Sequence, residues 1–503
     1  MRSGLWALMA TLLAAPTGAE EPPFRLFELA SPGRTAAAGF ADFDGDGRTD
    51  LYSVSLSGIP PRSHRELRVY FQDPGGTFRT SPDWSGPIEP DSAAYDVAAL
   101  DDEPGLEFLQ LRRHSISVLS LRGRAAQRRE LVIPGDPTAA VGADERGIDH
   151  LHMARDLGDG LRLLVPGLGE CIVLERDGTL VARLAVGQRA NYFIPKRPGP
   201  LLSESEFESY FDFPRIEVGD ANGDGRPDLL FASRHELRVF HQTASGGFEP
   251  LADQKFALGR LTEKDLIRGS GNVRVVASDI NGNGLVDLIV TSTTGGLMSP
   301  RSETTVHLNR DGSWNLAVSD RDSVLENSWS ALQIVDIDGD ARPELIEARM
   351  PLSILELVET LITQEIDIEI SIYRAEPKRG FAMQPTVKLD MHTEIDFETT
   401  SLRGFAPSID VDLNGDGGRD RVTSAGGDAI EVYLGSGEKP FQVRAGHQPL
   451  DSHGSIRFGD LDGDGLTDAL IFSKDRPDTP IRVLVNRGVL PGTPPRAVLT
   501  SGD

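Results

Sequence analysis

Asp42-Phe43-Asp44-Gly45-Asp46-Gly47-Arg48-Thr49-Asp50 sets carboxylates at positions 1, 3, 5 and 9 of a nine-residue stretch, with glycine at positions 4 and 6. Four like charges held this close repel one another unless a cation sits among them. Alternate side chains of a tight turn converge on one point, and the glycines supply the left-handed backbone that such a turn requires. The backbone carbonyl of position 7, Arg48, adds a further oxygen. Asp50 reaches back from the start of the next strand. The stretch therefore reads as a Ca2+ loop between two strands, with Asp42, Asp44, Asp46, Arg48 and Asp50 as ligands.

The pattern returns five times. The ligand sets are Asp220, Asn222, Asp224, Arg226 and Asp228; Asp279, Asn281, Asn283, Leu285 and Asp287; Asp336, Asp338, Asp340, Arg342 and Glu344; Asp412, Asn414, Asp416, Gly418 and Asp420; and Asp460, Asp462, Asp464, Leu466 and Asp468. In each set the fourth-named residue contributes its main-chain oxygen. The copies are unequal. Those at Asp42 and Asp460 are complete, the one at Asp279 offers two carboxylates, and the one at Asp336 has Ala341 where glycine is expected. This grading predicts graded affinities, weakest at Asp279. A helical calcium hand is excluded, because it needs a bidentate Glu at position 12 and this chain has Ser53 and Ile471 there.

Two degenerate units, anchored at Asp101 and Asp156, fill the gap after the first loop and are expected to bind no metal. The eight anchors, at 42, 101, 156, 220, 279, 336, 412 and 460, are 48 to 76 residues apart. An alternating segment enters each loop, as in Val273-Arg-Val275, and an apolar run leaves it, as in Leu229-Leu230-Phe231. A third, period-two strand follows, as in Leu237-Arg-Val239-Phe240, and several units then end in a glycine turn with an aromatic, as at Gly76-Thr-Phe78. Three or four short strands per unit predict an all-β fold, a β-propeller of eight blades spanning 20–503, or of seven if a weak unit is not a blade. Phe24–Leu29 is expected to add the outer strand of the last blade and close the ring. Between the sixth and seventh anchors, 350–400 reads as an insertion: Ile354, Leu357, Val358, Leu361 and Ile362 recur at helical spacing, followed by an alternating strand from Ile366 to Tyr373.

The formal net charge is −26, which excludes a nucleic-acid partner, since phosphate backbones are repelled by such a field. The six loops hold 20 of the 77 acidic residues, so six bound Ca2+ ions would bring the net charge to about −14. Residues 1–19 carry one positive charge, an apolar run and a small-residue end at Ala19, the pattern of a secretory signal peptide. That apolar run is shorter than the roughly 20 residues of a spanning helix, and no later stretch would cross a bilayer. The expectation is an exported monomer, periplasmic or extracellular, with no membrane span after cleavage. Cys171 is the one cysteine, so no intrachain disulfide forms, and its strand-like setting reads as a buried apolar position.

These loops resemble the FG-GAP and VCBS repeat family, the calcium-stapled β-propellers of integrin α-subunit heads and of many exported bacterial proteins. The resemblance rests on Asp42–Asp50, Asp220–Asp228, Asp279–Asp287, Asp336–Glu344, Asp412–Asp420 and Asp460–Asp468. It implies structural calcium, with binding or adhesion surfaces elsewhere on the ring, and says little about function. The ten histidines form no catalytic spacing, and His150-Leu-His152, lacking a third ligand, reads as surface or core. The chain is thus expected to present a binding or adhesion surface for a protein or a glycan. The alternatives are a polysaccharide hydrolase or lyase with its site in the pore, and an envelope scaffold.

Overall fold

The computed structural model describes residues 21–494, apart from 59–63, 136–147, 189, 194–207, 269, 297–298, 353–355, 357–359, 361–362, 397–400 and 437–438. The expected signal peptide therefore lies outside the described residues, as do the five positions of helical spacing after residue 353. Among the described residues helix is confined to Glu263–Arg268, a 3-10 turn at Arg122–Arg124, and helical positions at Glu356, Thr360 and Thr363. Among the described residues no helix is long and apolar enough to cross a membrane.

Eight sheets of four or five strands follow one another along the chain and form an eight-bladed β-propeller. Blade one runs Arg34–Ala41, Asp50–Ser57, His64–Tyr70 and Trp84–Pro87, each strand antiparallel to the next. Blade two repeats this with Ala94–Ala98, Glu107–Leu111, Ser115–Ser120 and Gln127–Val132, and adds a short parallel strand, Asp149–His150, beside Ala94–Ala98. The first strands of blades three to eight begin at Ala154, Arg215, Asn272, Ser328, Ser408 and Ser455. First strands of neighbouring blades touch, as Arg215–Gly219 touches Asn272–Ser278, which places them innermost in the ring.

The alternation of one strand explains how a ring is held together. In Asp228–Ala232, Leu229 and Phe231 pack with blade three, while Leu230 and Ala232 pack with blade five. Successive side chains point to opposite faces of a strand, so a blade covered on both faces needs apolar residues at every position. That is why the runs leaving the loops are continuously apolar. Among the described residues the buried apolar side chains fall into eight clusters, one between each pair of adjacent blades. The last pair is blade eight with blade one, where Leu461, Leu470, Phe472 and Val483 meet Ala38, Leu51 and Tyr70. Phe24–Leu29 pairs antiparallel with Ile481–Asn486, from Phe24 opposite Asn486 to Leu29 opposite Ile481. The outer strand of blade eight thus comes from the beginning of the chain, and closure leaves the ring without an open end.

Much of 350–400 is blade. Glu365–Tyr373 and Val387–Asp396 are the third and fourth strands of blade six, paired with Glu344–Pro351 and with each other. The extra length lies in the connections on either side of Glu365–Tyr373, including a small hairpin, Ala375–Glu376 with Gly380–Phe381.

Candidate metal centres

All six acidic loops join the first strand of a blade to its second, so they share one end of the blades. Their internal bonding repeats. The position 1 carboxylate accepts the N–H groups of positions 4 and 6: Asp42 from Gly45 (2.8 Å) and Gly47 (3.0 Å), Asp220 from Gly223 and Gly225 (both 2.7 Å), Asp279 from Gly282 and Gly284 (both 2.8 Å). Asp336, Asp412 and Asp460 do the same. The two N–H groups can point at one carboxylate because positions 4 and 6 have positive φ, 77° at Gly45 and 82° at Gly47. In the loop that begins at Asp336, Ala341 occupies position 6 with φ 66°, a strained conformation for a residue with a Cβ.

Position 9 is the buried end of each loop. Asp50, Asp228, Asp287, Asp420, Asp468 and Glu344 are all buried. One oxygen accepts the N–H of position 2: Phe43 on Asp50 (2.9 Å), Ala221 on Asp228 (3.0 Å), Leu461 on Asp468 (2.8 Å). The other, in five of the loops, accepts an N–H from the end of the blade's third strand: Gln72, Gln242, Asn309, Gly435 and Asn486, at 2.7 to 3.0 Å. Four of these residues carry an amide side chain that crosses to the preceding blade. Gln72 donates to the Leu461 carbonyl (2.7 Å), Gln242 to Leu157 (3.2 Å), Asn309 to Ala221 (2.8 Å) and Asn486 to Leu413 (2.7 Å). Each of these carbonyls sits one residue after an acidic anchor, so the loops are tied in series. A polar amide closing an apolar third strand is the sequence signal for this link, and the repeat pattern alone does not reveal it.

Residues 220–290, 279–346 and 412–471 each match the FG-GAP-like repeat. The chain carries FG-GAP-like repeats. The matched stretches take in every acidic loop except Asp42–Asp50, whose bonding is the same. No curated protein matches the chain. Among solved structures it is similar to a lectin of Agrocybe aegerita, in a study of recognition of non-reducing terminal N-acetylglucosamine (13% identity, 90% of this chain and 86% of that one, TM-score 0.38). It is also similar to the V. cholerae biofilm matrix protein Bap1 (12%, 93% and 84%, TM-score 0.32) and to Sqt1 from Chaetomium thermophilum (9%, 91% and 97%, TM-score 0.39).

Among the six acidic loops three carboxylate sets bring one oxygen from each member to within 4.8 Å of the others: Asp42, Asp44 and Asp50; Asp336, Asp338 and Asp340; Asp460, Asp462 and Asp464. The loops at Asp220, Asp279 and Asp412 have asparagine at position 3, and Asn222 and Asn414 turn their amide nitrogens to the position 5 carboxylate. Hard oxygen donors of this kind suit Ca2+. Position 5 also caps the turn, accepting the N–H of position 7, as Asp46 does from Arg48 (3.0 Å) and Asp464 from Leu466 (2.9 Å). The degenerate units pair their acids with arginines. Arg122 bonds Asp101 (2.6 Å) and also buried Glu107, while Arg162 spans Asp159 (3.0 Å) and Glu175 (3.1 Å). Guanidiniums also meet carboxylates in the acidic loops, Arg48 at Asp46 and Arg226 at Asp224. At the first loop Arg124 from blade two bonds Asp44 (2.9 Å), adding a blade-to-blade contact.

Burial pushes the position 9 carboxyls up against the opposing pull of their backbone donors: Asp50, Asp287 and Asp420 from 3.8 to about 6, Asp468 from 3.8 to about 7, Glu344 from 4.5 to about 7. In metal-free protein these groups hold protons that the unfolded chain has released, so stability falls as pH rises from about 4 to 7. Bound Ca2+ favours the ionised form and removes that loss. Thermal melts across this window, in chelator and in millimolar calcium, should therefore diverge as pH rises, and parallel curves would refute the coupling. Ala341→Gly relieves the positive φ and should raise stability by about 1 kcal/mol in denaturant unfolding, whereas Gly45→Ala should lower it.

Proposed function

We propose that this chain is an exported, calcium-stabilised binding module whose ligand is a glycan seated between blades seven and eight. The observation that carries the reading is a cleft of about 740 Å³ bounded by the first strands of those blades and the turn at Ser473–Arg476. Its floor is apolar, with Phe405, Ile456 and Phe458, and its rim is polar, with Asp410, His453, Arg457, Lys474, Asp475 and Arg476. The volume suits a small ligand rather than the broad face of a protein partner. Donors and acceptors mixed around one rim match a hydroxyl-rich molecule, because each sugar hydroxyl both donates and accepts.

The position of the cleft supports this division of labour. It opens where the first strands begin and the second strand of blade eight ends, whereas the acidic loops lie at the opposite ends of those strands. Metal on one face and ligand on the other lets calcium brace the blades without blocking the seat. The rim is itself ordered: Asp451 holds His453 (2.7 Å) and Arg482 (3.0 Å), and Gly454 donates to the Gly404 carbonyl across the blade boundary (3.2 Å).

A glycan array on the calcium-loaded chain should return a defined set of binders, and Arg457→Ala should weaken the best of them about tenfold or more in calorimetry. Arg457 is exposed, so the variant should melt as the parent does. Empty arrays, or an affinity indifferent to Arg457→Ala, would overturn the assignment of this cleft.

A further inference from the structure

The structure brings together three residues that the sequence keeps apart. Asp96 lies in the first strand of blade two, while His150 ends the short parallel strand beside it and His152 leads into blade three. One ligand atom from each lies within 4.8 Å of the other two. His150 Nε2 is 3.1 Å from Asp96 Oδ1, and the two imidazole rings meet edge to face with centroids 4.1 Å apart. Asp96 is buried and fixed: its Oδ2 accepts the N–H groups of Met153 (2.8 Å) and Ala154 (2.9 Å), and its Oδ1 that of Val97 (2.8 Å). Both histidines are exposed, and among the described residues the ring nitrogens of His152 have no hydrogen-bond partner.

We propose that Asp96, His150 and His152 form a binding site for a zinc-class divalent ion on the inner wall of the ring, where blades two and three meet. A tetrahedral ion with bonds of about 2.0 Å sets its donors about 3.3 Å apart. The His150 and Asp96 donors already stand at 3.1 Å, and rotation of the exposed His152 ring closes the remaining distance. The donor set separates this site from the acidic loops. Two imidazole nitrogens and one carboxylate select a borderline transition ion, while the all-oxygen loops select calcium. Three protein ligands leave a fourth vertex open to water or to a donor from a ligand in the channel. The supporting contacts already exist, because the backbone donors on Asp96 orient its carboxylate before any ion arrives.

The test is a Co2+ titration of the full chain in millimolar calcium, which keeps the oxygen loops filled, followed by displacement with Zn2+. One equivalent should give the intense visible bands of a four-coordinate imidazole-bound cobalt ion, and Zn2+ should abolish them. His152→Ala and His150→Ala should each weaken Zn2+ binding by at least about tenfold while leaving the calcium-loaded melt unchanged. Asp96→Asn is the less clean variant, because Asp96 also secures the strand before blade three. A wild-type chain with no such bands, or with Zn2+ affinity equal to that of the His150→Ala and His152→Ala chains, would overturn the site.

Discussion

A buried carboxylate at position 9 of each acidic loop is the constraint on which the rest of this structure depends. Taking such a group out of water is costly unless its oxygens are satisfied, and here they are satisfied by backbone N–H groups. One comes from the loop itself, and in five of the loops another comes from the end of the third strand. A single side chain thereby fixes the turn, the second strand that carries it and the third strand beside it. The remaining acids of the loop then face one another, and in the proposed reading a divalent cation resolves their repulsion. In the degenerate blades Arg122 meets Asp101 and buried Glu107, and Arg162 meets Asp159.

Connection between blades follows from two features with the same periodicity. Alternate side chains of each second strand feed the apolar interfaces on its two sides, and amides such as Gln72 and Asn309 carry hydrogen bonds from one loop to the preceding one. Neither feature stabilises an isolated blade, because each needs a neighbour on both sides. The ring must therefore close, and Phe24–Leu29 closes it by pairing with Ile481–Asn486. With the loops gathered at one end of the blades, the other end is free to vary, and the cleft between blades seven and eight is found there.

The fold was legible because it is written eight times. Acidic anchors, apolar exit runs and period-two third strands recur at a spacing that only stacked units explain, and Phe24–Leu29 has the alternation of a strand with no partner nearby. Ala341 was legible as an irregularity, and its positive φ bears that out. The length at 350–400 was harder to place, since Ile366–Tyr373 reads as a strand without saying which sheet receives it. Links between blades were not legible: Gln242 meets Leu157 across 85 residues, a distance set by the ring and not by local pattern. Asp96 and the His150–His152 pair lie 54 residues apart on different strands, so the pair looked like two ordinary histidines until the parallel strand in blade two set them beside a carboxylate.

The central claim is that cations, not the apolar interfaces alone, hold the acidic loops. Native mass spectrometry of the folded chain, purified in calcium and then desalted, counts the ions directly. The account predicts up to about six bound Ca2+ per chain, lost in order of carboxylate number, with the Asp279 loop emptying before those at Asp42 and Asp460. A chain that stays folded with no calcium bound, and takes none up when it is added back, would contradict it.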